Sequence, residues 1–262
     1  MILHFSKYHG AGNDFILIDA RKIFEKELTD HEIKKLCNRR FGIGADGLML
    51  LKSSKDFDFE MLYYNSDGFE GSMCGNGGRC ITAFAVQLGI IKNKARFLAS
   101  DGPHVSSVEQ NGLINLKMSD VSNVFEEKGY TFLNTGSPHY IKFVENPDNI
   151  DIVTEGRKIR NSEKFIAEGV NVNFVSKYSN GLYIRTYERG VEDETLACGT
   201  GSVAAAIAYY SKDNSIGTNI PVKTLGGKLE ISFSETNVGF IEVYLKGPAV
   251  KVFEGDIDIS SL

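Results

Sequence analysis

Cys198-Gly199-Thr200-Gly201-Ser202-Val203-Ala204-Ala205-Ala206-Ile207-Ala208 is the stretch on which the reading of the fold turns. From Val203 to Ala208 it carries no polar side chain, so a helix there has no face to offer water and must be buried on all sides. A second stretch has the same build. Cys74-Gly75-Asn76-Gly77-Gly78-Arg79-Cys80 runs into Ile81, Ala83, Phe84, Ala85, Val86 and Leu88, with Gly89 placed to stop the helix. Each is preceded by a strand-like segment and a polar turn. Tyr64-Asn65-Ser66-Asp67-Gly68 begins 10 residues before Cys74, and Tyr187-Glu188-Arg189-Gly190 begins 11 before Cys198. The offset between the two units, 198 − 74 = 124 residues, is close to half of the 262-residue chain.

Around these helices the pattern is one of short alternating strands. Phe57, Phe59, Met61 and Tyr63 share one face of a segment whose other face begins with Asp58 and Glu60. Leu182, Ile184 and Thr186 alternate with Tyr183, Arg185 and Tyr187, and Ile231 to Phe233 and Phe240 to Leu245 flank a polar turn at Thr236 and Asn237. Helices are expected over about Asp30 to Asn38, capped by Thr29 or Asp30, about Asn76 to Leu88, and about Gly199 to Tyr210. The fold class that follows is α+β: two related, pseudo-symmetric domains, each a curled, mostly antiparallel sheet around a central buried helix, the two facing one another. The expected division is 1–120 and 121–249, within the polar, charged stretch from Ser119 to Gly129.

Composition narrows the function classes. The chain is 42% apolar and 24% charged, the balance of a globular protein rather than a disordered one. A net charge of −5 without a basic block argues against nucleic acid as a partner. No apolar run approaches the roughly 18 residues of a membrane span, and the first residues lack a signal-peptide pattern, so a cytoplasmic location is expected. In that compartment Cys37, Cys74, Cys80 and Cys198 are not expected to form a disulfide framework.

A cysteine followed by Gly-x-Gly at the start of a helix has specific chemistry. Unpaired N–H groups of the first turn bind a carboxylate as readily as a phosphate, and the same positive end favours thiolate over thiol. Two such units suggest inversion of a carbon centre, one thiolate removing a proton from one face while the opposite thiol supplies one to the other. Cys80, inside the apolar helix, and Cys37, at the end of an amphipathic one, read as structural. Competing motifs are weaker. Gly42-Ile43-Gly44-Ala45-Asp46-Gly47 has the glycine spacing of a dinucleotide site but follows a helix and precedes a strand. Cys74 and Cys80 lack zinc-ligand partners, so no metal is expected, and no Gly-x-Ser-x-Gly elbow is present. His139, beside Pro138, and the Glu188-Arg189 pair at a strand end are further candidates, the pair for an ammonium and a carboxylate.

The chain resembles the diaminopimelate epimerase family. The resemblance is carried by His9-Gly10-Ala11-Gly12-Asn13-Asp14-Phe15, Gly42-Ile43-Gly44-Ala45-Asp46, Asn65 with Asp67-Gly68, Met73 to Cys80, Pro138-His139, Val170-Asn171, Tyr187 to Gly190, Glu194-Thr195, Ala197 to Gly201, and Gly247-Pro248-Ala249. It implies cofactor-independent interconversion of LL- and meso-diaminopimelate, in lysine and peptidoglycan precursor synthesis, with Cys74 and Cys198 as the catalytic pair. It implies that His139 and Glu188 tune the thiols. Asn13, Asn65, Asn171, Glu188 and Arg189 would read the distal end of the substrate, and the backbone at Gly75-Asn76 and Gly199-Thr200 would cradle the carboxylate at the reacting end. It further implies a homodimer and a C-terminal segment, about 250–262, that returns to the first domain. Two positions depart from the family pattern: Gly47 stands where an amide is common, and Ser137 stands where Asn is common. Two alternatives are a two-cysteine racemase or epimerase of the proline or hydroxyproline type, and an inactive amino-acid-binding homologue that binds without α-proton exchange.

Overall fold

The computed structural model describes residues 2–21, 28–71 and 73–261. Contacts divide the chain into two compact units, Met1–Leu116 with Pro248–Leu262, and Lys117–Gly247. The first division lies just before the Ser119–Gly129 stretch, and the C-terminal residues belong to the first unit.

In the first unit, β1 (Ile2–Gly10) and β2 (Asn13–Asp19) form a hairpin. Its two-residue turn, Ala11-Gly12, has positive φ at both positions, 52° and 88°, as a tight turn of the right twist requires. The helix α1 (Asp30–Cys37) then crosses to β3 (Gly47–Lys52), which pairs parallel with β2. Thr29 caps α1 through a reciprocal capping box with Glu32. β4 (Phe59–Asn65) returns antiparallel to β3, and α2 (Gly75–Gln87) leads to β5 (Lys94–Ala99), parallel to β4. β6 (Gly102–Val108) and β7 (Ile114–Lys117) follow antiparallel. The last strand of the chain, Val250–Asp258, pairs antiparallel with β1 and completes the sheet.

The second unit repeats this scheme. β8 (Val124–Glu127), β9 (Tyr130–Asn134) and β10 (Pro138–Phe143) are successive antiparallel neighbours. The helix α3 (Ile152–Arg160) crosses to β11 (Asn171–Tyr178), parallel to β10, and β12 (Gly181–Glu188) turns back against it. After the short β13 (Asp193–Thr195), α4 (Gly199–Lys212) leads to β14 (Asn219–Lys223), parallel to β12. β15 (Lys228–Thr236) and β16 (Gly239–Gly247) close the unit antiparallel. Ordered from the last strand through β1 to β7, and from β8 to β16 with β13 set aside, the two sheets have the same sequence of parallel and antiparallel pairings. The expectation of an α+β chain made of two like domains, each a mostly antiparallel sheet around a buried helix, therefore holds.

The reason lies in the helices. Every residue of α4 from Gly201 to Tyr209 is buried, and the helix touches β9, β10, β11, β12, β14, β15 and β16, so the sheet curls about it. Burying Val203 and Ile207 contributes about 1.5–3 kcal/mol each. α2 packs on β1, β2, β3 and β6. α1 and α3 cover the other face of each sheet. Ile33 and Leu36 of α1 join Ile16, Ile18, Leu48 and Leu50, while Ile152 of α3 joins Val172, Phe174 and Tyr187. β2 and β3 are thus covered on both sides, which accounts for the unbroken apolar runs Phe15–Ile18 and Leu48–Leu51.

Three expectations need correction. α3 is not among the expected helices: Gly156 stands in its middle, where glycine disfavours a helix, because Tyr187 leaves no room there for a Cβ; Asp151 caps it through Thr154, and Ile152 and Gly156 are its buried residues. The strand expected from Phe57 begins at Phe59, because Asp58 turns to bond both the N–H and the C=O of Arg96 before pairing starts. The inner helix α2 is not apolar throughout: Asn76, Arg79 and Thr82 are buried in it.

Candidate active site

In the first unit the loop before α2 ends at Cys74, which is the N-cap residue in extended conformation, φ −96° and ψ 135°. The sulfur therefore sits at the open end of the helix, beside the N–H groups of its first turn. The β1–β2 turn brings Asn13 to the same place. Cys74 Sγ lies 3.6 Å from Asn13 Oδ1, and Asn76 Nδ2 donates to that oxygen at 3.2 Å. Asn13 Nδ2 donates to Asp46 Oδ2 at 2.7 Å. Asp46 belongs to a charged group with Asp14, Arg39 and Lys7: Arg39 bridges both carboxylates, and Lys7 meets Asp14 at 2.7 Å. Burial pushes the Asp14 carboxyl up, but hydrogen bonds from Arg39 and Lys7 outweigh it and hold the group well below the usual carboxylate range.

Asn65 and Gly47 face one another across β3 and β4, and Asn65 makes no hydrogen bond to the Asn13–Asn76 pair. Gly47 has a packing reason. A Cβ there would stand 2.5 Å from Tyr63 Cε2 and 2.6 Å from the Tyr64 carbonyl oxygen. The Tyr63 ring fills the space that a side chain at 47 would need, so the departure at Gly47 is matched by an aromatic neighbour.

In the second unit Cys198 is the N-cap residue of α4, with φ −107° and ψ 114°. Its sulfur lies 3.5 Å from the Thr200 hydroxyl oxygen, and Thr135 Oγ1 donates to the Thr200 carbonyl at 3.0 Å. His139 on β10 is fully buried and lies opposite Asn171 on β11. Its Nδ1 is 3.1 Å from Asn173 Nδ2. Asn173 also donates to the carbonyls of Tyr140 and Asn171, and its oxygen accepts from Thr186 Oγ1 at 3.0 Å, which fixes the amide. His139 Nδ1 must then accept, and the ring proton sits on Nε2, a buried atom with no hydrogen-bond partner among the described residues. Burial, followed by the Arg189 charge, pushes the imidazole down to about 3, so it is neutral. A Cβ on Gly201 would stand 2.5 Å from Asn173 Oδ1 and 3.3 Å from Cys198 Sγ, which sets the Asn173 amide beside the first turn of α4.

A second cluster forms at the end of β12. Asn171 Oδ1 accepts from the Arg189 backbone N–H at 2.9 Å, and its Nδ2 donates to Ser137 Oγ at 2.8 Å and to the Pro138 carbonyl at 3.1 Å. Arg189 Nη2 reaches the same Ser137 oxygen at 3.5 Å. Ser137 thus joins Asn171 to Arg189. Glu188 accepts from Thr195 Oγ1 at 2.6 Å.

The structure brings Asn13, Cys74 and Asn76 together in one unit, and Ser137, Asn171 and Arg189 together in the other. Asp46, Arg79 and Asn173 contact these candidates and were not singled out from sequence. Asn173 had one available signal, its position two residues after Asn171 on a strand, hence on the same face. Cys37 and Cys80 are buried, and burial pushes both thiols up to about 12, so they stay protonated. Among the described residues no group of three His, Cys, Asp or Glu side chains could hold a metal, and no helix is long and apolar enough to cross a membrane.

Comparison with known proteins gives the family and the fold. A family model described as diaminopimelate epimerase matches residues 5–124 and 131–252. A diaminopimelate epimerase of Flavobacterium psychrophilum is 53% identical over 253 residues, covering 96% of this chain and 98% of its own. A Bacillus anthracis phenazine biosynthesis protein of the PhzF family superposes with a TM-score of 0.79 at 16% identity, over 98% of this chain and 99% of that one. A hydroxyproline epimerase from Agrobacterium vitis does so at 0.68 and 13%, over 98% and 92%. These two structures share the fold. Fold, family match and relatives define an isomerase of the epimerase class. Within that class, the chain belongs to the diaminopimelate epimerase family.

Proposed function

We propose that this enzyme inverts one α-carbon of LL-diaminopimelate to give the meso isomer, with Cys74 and Cys198 as its two bases and no cofactor. The observation that carries the reading is the placing of a cysteine as N-cap of the glycine-opened inner helix at the same topological position in both units, in a chain of this family. One thiolate takes the α-proton. The electron pair of the broken C–H bond is delocalised into the adjoining carboxylate, which the N–H groups of Gly75-Asn76 and Gly199-Thr200 stabilise. The other thiol gives its proton to the opposite face of the carbon and is left as thiolate. Either cysteine serves as base, according to the direction of reaction.

Asn13, Asn65, Asn171, Glu188 and Arg189 hold the distal amino-acid end in this reading. His139 and Glu188 tune the thiols, the neutral imidazole offering its Nε2–H to a negative sulfur. The same reading takes the enzyme as a cytoplasmic homodimer supplying lysine and peptidoglycan precursors. The test is proton NMR of LL-diaminopimelate with the enzyme in heavy water, under reducing conditions and without added cofactor. The expected result is the meso isomer with deuterium at the inverted carbon. Exchange of proline or hydroxyproline but not of diaminopimelate would favour the proline-type reading, and binding without any exchange would leave a binding protein.

A further inference from the structure

Arg79 is a cation sealed inside the first unit, with no exposed surface. No carboxylate meets it among the described residues. Its guanidinium donates from Nη1 to the Gly75 carbonyl at 3.1 Å, from Nη2 to Asn76 Oδ1 at 2.8 Å, and from Nε to the Pro248 carbonyl at 3.4 Å. β1 makes room for it: a Cβ on Gly10 would stand 2.9 Å from the Asn76 carbonyl oxygen and 3.2 Å from Arg79 Nη2. Burial lowers the guanidinium from its ordinary value, yet arginine starts so high that it stays charged. A buried charge without a counter-ion is kept at a cost in stability.

The hydrogen bonds show what that cation can do. Arg79 offers only donors, so it turns the Asn76 oxygen toward itself and the Asn76 nitrogen away, onto Asn13 Oδ1. At the other end Asp46 offers only acceptors and takes the Asn13 nitrogen. Asp46 is itself held by Arg39 at 2.7 Å and by the Asp14 backbone N–H at 3.1 Å. With a cation at one end and an anion at the other, neither amide is able to turn over without losing a charge-assisted bond. The Asn13 oxygen therefore faces Cys74 Sγ. We propose that Arg79 and Asp46 are positioning residues for Cys74: they clamp the Asn76 and Asn13 amides between opposite charges, fix the first turn of α2, and present a hydrogen-bond acceptor to the thiol. The proposal rests on Cys74 being a working thiol.

The other titratable groups of this region are Lys7, Tyr8 and His9 of β1, Asp14 of β2, Arg39, Cys80 and His104 of β6. Lys7 and Arg39 each pair with Asp14. Tyr8 is pushed up to about 12 by burial and by the neighbouring Cys80 and Glu254, so neither Tyr8 nor Cys80 adds a charge near neutrality. His9 accepts the Gly12 N–H at Nδ1, and His104 bonds Asp101.

The two ends of the clamp should act on Cys74 in opposite directions. Asp46→Ala removes a negative charge and the acceptor of Asn13 Nδ2 while Asn76 still holds Asn13 Oδ1, and the lost charge favours thiolate. Arg79→Met removes the cation that favours thiolate. The experiment is iodoacetamide labelling of each variant across pH, read at Cys74 and Cys198 by mass spectrometry. The Cys74 midpoint is expected to fall by about one pH unit in Asp46→Ala and to rise by about one in Arg79→Met, each a tenfold change in thiolate-to-thiol ratio. Asp46→Asn and Arg79→Lys, which keep an acceptor and a cation respectively, should lie nearer to wild type, and Cys198 should not move. Asp46 is exposed, so Asp46→Ala decides the matter even if Arg79→Met does not fold. A Cys74 profile unchanged in Asp46→Ala, or shifted alike in both variants, overturns the proposal. Labelling needs no turnover, so a failed clamp is distinguishable from a failed epimerase reading.

Discussion

The two inner helices occupy the same place in two sheets of the same pairing order, and each is capped by a cysteine, yet they are stabilised differently. From Val203 to Ala208 α4 buries only apolar side chains, and its residue aligned with Arg79 at the 124-residue offset, Val203, is fully buried. α2 buries Arg79 and Thr82, the latter bonded to Ser106 at 2.7 Å. The thiols differ in the same way. Cys74 faces an amide oxygen, which only accepts, whereas Cys198 faces a hydroxyl, which accepts or donates. A repeated fold has thus kept the position of the thiol while the polar groups around it diverged. The proposed two-base reaction needs one thiol on each face of the carbon, and nothing in it requires two identical settings.

The largest effects should come from the thiols themselves. Cys74→Ala and Cys198→Ala should each lower epimerisation by about 10³-fold or more, the scale of a lost general acid or base. The two variants should also be complementary. A remaining thiol reaches the α-proton of one stereoisomer and returns solvent deuterium to the same face. Deuterium wash-in by NMR should then be confined to one isomer in one variant and to the other isomer in its counterpart. Wash-in of both isomers by a single-thiol variant would break the two-base reading.

Exchanging the buried groups tests the helices. Val203→Arg places in α4 the cation that α2 tolerates, without the Gly75, Asn76 and Pro248 oxygens that receive it. A loss of about 3–5 kcal/mol is expected, seen as a lower midpoint in urea unfolding, because an unpaired charge is left in the core. A midpoint close to wild type would mean that α4 has acceptors of its own for a guanidinium.

Acid should distinguish the units further. His139 is buried neutral, its imidazole pushed down to about 3. The unfolded chain takes up a proton near pH 6.5 that the folded chain refuses until near pH 3, so this group's contribution is present above pH 6.5 and is lost as pH falls between the two values. The slope should be about 1.4 kcal/mol per pH unit for one proton. Asp14, held low by Arg39 and Lys7, adds its loss only below the ordinary carboxylate range. Unfolding measured from pH 7 to pH 4 should show the His139 slope, and His139→Gln should flatten it. An unchanged slope in that variant would assign the acid sensitivity to another group.

Much of this architecture is legible in the chain because α4 has no polar side chain from Val203 to Ala208 and α2 has few beyond its first two turns. Val203 to Ala208 permits no other placing than the interior, and the glycine-opened starts mark where each helix begins. α3 is obscured by the glycine in its middle, Gly156, whereas its partner in the repeat, α1, is readable from its Thr29 or Asp30 start. Applying the 124-residue offset to α1 would have pointed close to Asp151. The candidate site was legible where chemistry is local, as at Cys74, Cys198 and the Glu188-Arg189 pair. It was not legible where a residue acts through another. Asn173 sets the His139 tautomer, and Asp46 and Arg79 bracket Asn13 and Asn76, through contacts between segments 30 or more residues apart in most cases. Such pairings depend on strand register, which no single segment encodes.

The smallest difference to test is packing. Ala205 of α4 is fully buried, with strands around the helix, whereas Ala83 of α2 is only partly covered. The same enlargement should therefore have unequal consequences. Ala205→Leu forces three more carbon atoms into a filled interior and should cost about 1–3 kcal/mol. Ala83→Leu has room to lean outward and should fall within about 0.5 kcal/mol of wild type, as surface changes do. Equal losses in urea unfolding would show α2 enclosed as tightly as α4. Equal tolerance would show a void beside α4 large enough for an isobutyl group, and would weaken the view that complete enclosure is what makes its apolar sequence necessary.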